Sequence, residues 1–203
     1  MAVSLQKGQK ISLSKEAGGD LTQVKLGLGW DVAQSSQGQK GGFLGKLFGG
    51  ASGGGDSIDL DASCIMFDAN KQAVDAIWFS QLKSKDGSIV HTGDNRTGDG
   101  DGDDEVINVD LSRVPASVTS LVFTVNSFTG QTFETVENAF CRIVNANNNQ
   151  EVARYNLSAQ GGHTAMVMAK VYRHNNEWKM HAIGEIASGR TFHDLMPAIT
   201  PHA

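Results

Sequence analysis

At 203 residues and 39% hydrophobic content, the chain can bury the core of one domain, or of one domain with an insertion. Two cysteines are too few for a disulfide framework, and the longest apolar runs are too short to span a membrane. A net charge of −5 with no basic stripe argues against nucleic acid as a partner.

The opening residues, MAVSLQKGQKISL, lack the apolar stretch of a signal peptide, and with two reduced thiols they point to a cytoplasmic setting. Residues 4–14 read as strand, turn, strand, with Ile11 and Leu13 alternating against Ser12 and Ser14. In residues 24–30, Val24, Leu26, Leu28 and Trp30 share one face of a second strand, with Gly27 and Gly29 on the other and Asp31 at the end. Residues 34–57 change character: QSSQGQKGGFLGKLFGGASGGGDS is a glycine-rich insertion. Its apolar centre, Phe43, Leu44, Leu47 and Phe48, is expected to fold back on the domain or to make peripheral contact with a membrane or a partner protein.

Residues 58–67 form a strong strand, with Ile58, Leu60, Ala62 and Cys64 on one face and Asp59, Asp61 and Ser63 on the other. Further strands follow at 73–81, 88–91, 105–111, 121–126, 140–145, 151–157, 165–172 and 178–186. Turn signals separate them at Lys85-Asp86-Gly87, Asn147-Asn148-Asn149 and His174-Asn175-Asn176. Short helical turns are expected at 133–137 and 194–199. Many short strands without a long amphipathic helix predict an all-β fold, a sandwich of two antiparallel sheets, as a single domain over 1–203.

The acidic residues are unevenly spread. Residues 93–105, GDNRTGDGDGDDE, hold six carboxylates (Asp94, Asp99, Asp101, Asp103, Asp104 and Glu105) against Arg96, so the whole net charge of −5 resides there. Clustered carboxylates repel one another, and a hard cation relieves that repulsion. Oxygen-only donors, with Asn95 and Thr97 as neutral ligands and glycines that let alternate side chains converge, suit Ca²⁺. The spacing is not that of an EF-hand: in a template running from Asp94 to Glu105, Asp99 stands where glycine is needed. Asp59 and Asp61, roughly 7 Å apart on one face of their strand, would form a far wall of the site, joined by Asp31. The expected metal set is thus Asp31, Asp59, Asp61, Asp94, Asn95, Asp99, Asp101, Asp103, Asp104 and Glu105, meeting at one edge of the sandwich.

Other constellations carry little chemistry. The six histidines show no metal spacing, and Cys64 and Cys141 lie in apolar strand patterns, as inert core thiols do. Gly27-Leu28-Gly29 lacks the GK[ST] of a phosphate loop, and no nucleophilic triad is recognisable.

Several segments together resemble a known family: MAVSLQKGQKISLSKEAGG, VKLGLGWD, DLDASCIMFD, LKSKDGSIVHTGDNRTGDGDGDDEVINVDLSRVP, NAFCRIVNA, EVARYNLS and TAMVMAKVYRHNNEWKMHAIGE. They are similar to the TerD-like tellurium-resistance and stress proteins. VNSFTGQTFETVENAFCRIVN and the insertion look most like the TerZ branch. The resemblance implies a calcium-binding β-sandwich without established catalysis. It implies action in the cytoplasm, at the inner membrane face, with other tellurite-resistance and stress proteins as partners. The competing reading is a metal-dependent hydrolase of phosphorylated or nucleotide substrates, with clustered aspartates holding the ions.

Overall fold

The structure, a computed structural model, describes residues 2–19, 21–32, 59–93, 102–157 and 159–203. The insertion at 34–57 and Asp94, Asn95, Asp99 and Asp101 lie outside the described residues, as do the apolar positions Phe43, Leu44, Leu47 and Phe48.

Two six-stranded sheets face each other. The first contains β1 (Val3–Leu5), β3 (Gln23–Val32), β6 (Ile89–His91), β7 (Glu105–Asp110), β9 (Val136–Asn145) and β10 (Gln150–Asn156). Their order is β1-β10-β9-β3-β7-β6. The second contains β2 (Lys10–Ser12), β4 (Leu60–Asp68), β5 (Ala73–Ile77), β8 (Val118–Ser127), β11 (Ala165–His174) and β12 (Glu177–Ala187), in the order β2-β12-β11-β8-β4-β5. Among the described residues every strand pairing is antiparallel except β1 with β10.

The alternation expected along β3 and β4 is present. Val24, Leu26, Leu28 and Trp30 face Leu60, Ala62, Cys64 and Met66 in the core between the sheets. Leu13, expected in a strand, instead opens a short helix, α1 (Leu13–Ala17). Ser12 accepts the Lys15 N–H as its N-cap and Gly18, at φ 73°, ends it; this local capping outweighs the alternation. A second helix, α2 (Phe192–Ile199), covers the outer face of the second sheet. Phe192, Leu195 and Ile199 pack there on Ile65, Phe67, Val122 and Val167, so β4 is buried on both faces.

The pairing registers bring four strand ends together. Leu28 of β3 stands opposite Glu105 of β7, His91 of β6 opposite Ile107, and Leu60 of β4 opposite Ser127 of β8. Glu105 touches Ala62, which puts the start of β4 at the same end of the sandwich as the start of β7.

Candidate functional site at one end of the sandwich

Three consecutive carboxylates at the exit of the acidic segment are held in three different ways. Asp103 lies across the outer face of β3, directly over Gly27. A Cβ on Gly27 would stand 2.2 Å from the Asp103 carboxyl carbon. There the two Asp103 oxygens accept from Arg142 Nε at 2.7 Å and Nη2 at 3.1 Å, a two-pronged ion pair. Arg142 of β9 is opposite Gly27 in register, and its Nη1 also donates to Glu151 at 3.0 Å. The Asp103 carboxylate holds the guanidinium above its ordinary pKa. Gly29 makes a matching allowance: a side chain there would strike the Phe140 ring and the Gly102 carbonyl.

Asp104 continues the ladder. Its N–H donates to the Leu28 carbonyl at 2.8 Å and its carboxylate accepts the Trp30 N–H at 2.9 Å. Glu105 turns inward with Ile107 and Val109, is 1% exposed, and accepts the Ala62 N–H of the opposite sheet at 2.5 Å. β5 pairs with β4 only from Cys64 onward. Glu105 therefore supplies an acceptor beyond the end of that pairing, where a buried N–H without a partner is costly. His91, also buried, brings Nε2 to 3.5 Å from Glu105, an electrostatic contact too long for a hydrogen bond. Its Nδ1 accepts the Gly93 N–H at 3.0 Å, which in a neutral ring leaves the proton on the nitrogen facing Glu105.

The remaining expected ligands diverge more. Asp61 is buried on the outer face of β4, with Ser63, Ile65 and Phe67, whereas Glu105 is on the inner face of β7. Asp59 precedes β4 and is half-buried. Asp31 is exposed, accepts from Asn138 Nδ2 at 2.8 Å, and stands opposite Glu137. Among the described residues no three His, Cys, Asp or Glu side chains converge as a metal site. Sequence reasoning missed Arg142 and the obligatory glycine at 27. The signal available was the paired glycines inside a strand, which mark a close approach by another group.

Both thiols are buried between the sheets. Burial pushes the Cys141 thiol up to about 12 and holds Cys64 well above its ordinary value.

A family profile described as the TerD domain matches residues 1–196. The chain belongs to the TerD family. It is 52% identical to the tellurium resistance protein TerZ of Serratia marcescens, over 95% of this chain and 94% of that one. It is 43% identical to the stress response protein SCP2 of Bacillus subtilis, over 97% and 98% of the two chains. A crystal structure of a TerD homologue from Streptomyces coelicolor shares the fold of this TerD-family chain, with a TM-score of 0.61 at 20% identity over 85% of this chain and 92% of that one. Among the described residues no helix is long and apolar enough to cross a membrane.

Proposed function

We propose that this TerD-family protein is a non-catalytic Ca²⁺-binding module of a tellurite and stress response. The observation that carries the reading is the anchoring of residues 103–105. Asp103, Asp104 and Glu105 are tied to Arg142, the Trp30 N–H and the Ala62 N–H. These bonds set the exit of the acidic segment against the ends of β3 and β4. The donor chemistry of the segment fits a hard cation, since residues 93–105 contain neither His nor Cys. Asp103, engaged by Arg142 through both oxygens, fits the role of anchor better than that of ligand. Asp94, Asn95, Asp99 and Asp101, with Asp59 and Asp61, would hold the ion.

The ion would supply charge neutralisation, ordering the segment and stabilising the domain by mass action. The loaded end would then serve as a scaffold for related Ter proteins. The chain between β3 and β4 leaves and returns at this end, so Phe43, Leu44, Leu47 and Phe48 would add an apolar contact to a partner or to the inner membrane face.

Calorimetric titration of chelator-stripped protein with Ca²⁺ and then Mg²⁺ tests this. The expected result is micromolar or tighter Ca²⁺ binding with selectivity over Mg²⁺. At a hundredfold excess over Kd, stability rises by about 2.7 kcal/mol. Asp101→Asn should weaken binding. Absence of both Ca²⁺ heat and a melting shift would overturn the proposal. Mg²⁺-dependent phosphodiester turnover lost in Asp101→Asn would replace it with the hydrolase.

A further inference from the structure

A second charged cluster lies on the outer face of the other sheet, and the calcium reading does not involve it. The register sets Lys10 of β2, His181 of β12 and Lys170 of β11 side by side across three adjacent strands. Their neighbours Ile11, Met180 and Val171 point into the core, so these three share the outward face. Directly opposed side chains in a sheet are about 5 Å apart at Cβ, where like charges destabilise the pairing.

The C-terminal end of the chain closes this row on one side. Lys170 Nζ donates to the His202 carbonyl at 2.6 Å, and Lys71 Nζ donates to the Pro201 carbonyl at 3.4 Å. Two ammonium groups are thus held on consecutive carbonyls, a placement that suits cations at the end of a helical turn. Lys71 arrives from the turn between β4 and β5 with a left-handed φ of 60°, unusual for lysine.

Among the described residues, carboxylates do not balance the cluster. His202 pairs with Glu185 at 2.6 Å. Glu177 is engaged by Ser12 and Lys179. Among the described residues no carboxylate, the C-terminus included, comes within ion-pair distance of Lys10, Lys71 or Lys170. Burial, Lys71 and Lys10 all lower the Lys170 pKa, and burial with Lys10, Lys170 and His202 lowers that of His181. Each cation is therefore felt by its neighbours. A chain with net charge −5 has no general excess of positive charge to explain three lysines in one place that meet carbonyls and the Tyr172 ring but no described carboxylate.

We propose that Lys10, Lys71, Lys170 and His181 form a cradle for a phosphate-type oxyanion, free or carried on a lipid headgroup. The negatively charged oxygens of a phosphate group would relieve the mutual repulsion of the ammonium groups and accept from each of them. The imidazole of His181, at the centre of the row, would add a neutral N–H donor. The cradle stands on the face of the sheet that carries Asp61, five residues along β11 from the level of Asp61 and Asn126, roughly 15 Å away. It is independent of the proposed calcium end.

Titration with inorganic phosphate in calcium-free buffer, at constant ionic strength against chloride, tests the proposal apart from the calcium reading. The expected result is saturable phosphate binding that weakens about tenfold in Lys10→Gln and in Lys170→Gln. Lys10 is exposed, so that variant keeps the test open if Lys170→Gln folds poorly. A parallel arm measures co-sedimentation with phosphatidylglycerol vesicles. Vesicle binding that needs Lys10 while free phosphate does not bind assigns the site to a headgroup and supports the proposal. No phosphate binding together with vesicle binding that is absent or unaffected by Lys10→Gln overturns it, as does phosphate binding unchanged in both variants.

Discussion

Gly27→Ala tests whether Gly27, Asp103 and Arg142 form one anchor. A Cβ at position 27 would stand 2.2 Å from the Asp103 carboxyl carbon, so the carboxylate has to move and its two bonds to Arg142 are lost. Hydrogen bonds between charged partners contribute about 1.5–3 kcal/mol. Arg142 retains Glu151, and its side chain is 27% exposed, so the lower end applies, about 1.5 kcal/mol. Opposing this, alanine is favoured over glycine in a strand by roughly 0.5–1 kcal/mol. The net cost is about 0.5–1 kcal/mol, or a Tm lower by about 1–4 °C for a chain of this length. In an Asp103→Ala background the obstruction is absent, and Gly27→Ala should be neutral or stabilising by up to about 1 kcal/mol. Urea unfolding of the four proteins gives the coupling directly, expected near 1.5 kcal/mol. An equal effect of Gly27→Ala in both backgrounds would refute the anchor.

Glu105→Ala leaves the buried Ala62 N–H without its acceptor and should cost about 2–3 kcal/mol in urea unfolding; a loss under about 0.5 kcal/mol would contradict the inter-sheet role. Both thiols should resist an aromatic disulfide reagent at pH 8 in the native protein and react fully in urea, since burial raises both pKa values. Rapid native labelling of either would show an accessible thiolate. Gly184 combines a φ of 64° with a Cβ position 2.1 Å from Tyr155 Oη. Gly184→Ala should cost about 2 kcal/mol or more from the backbone and the clash together, and Tyr155→Phe should return part of it; no recovery would place the whole cost in the backbone. Burial lowers the His181 and His163 pKa values below 6.5. The unfolded chain then binds more protons as pH falls through that value, so stability should decline on acidification. His181→Gln should flatten the decline, and an unchanged slope would remove His181 from its cause.

The features of this fold differ in how far they follow from residue order. The sequence by itself determined the strand faces. Val24, Leu26, Leu28 and Trp30 alternate with small residues, and a period of two has one way of burying them. It also determined where charge concentrates, because composition along the chain does not depend on folding. Leu13 was misread because side-chain capping by Ser12 is as local as alternation and competes with it.

Tertiary structure alone decided what the carboxylates do. Asp103, Asp104 and Glu105 are adjacent and chemically alike, yet one meets a guanidinium on β9, one an N–H of β3, and one an N–H of the facing sheet. Those partners are 39, 74 and 43 residues away, and only strand register brings them near. Lys10, His181 and Lys170 are scattered singly through the sequence and become a row only when β2, β12 and β11 pair. Periodicity reports which face a side chain takes. What it meets there is fixed by pairings between distant segments, which the local order of residues does not encode.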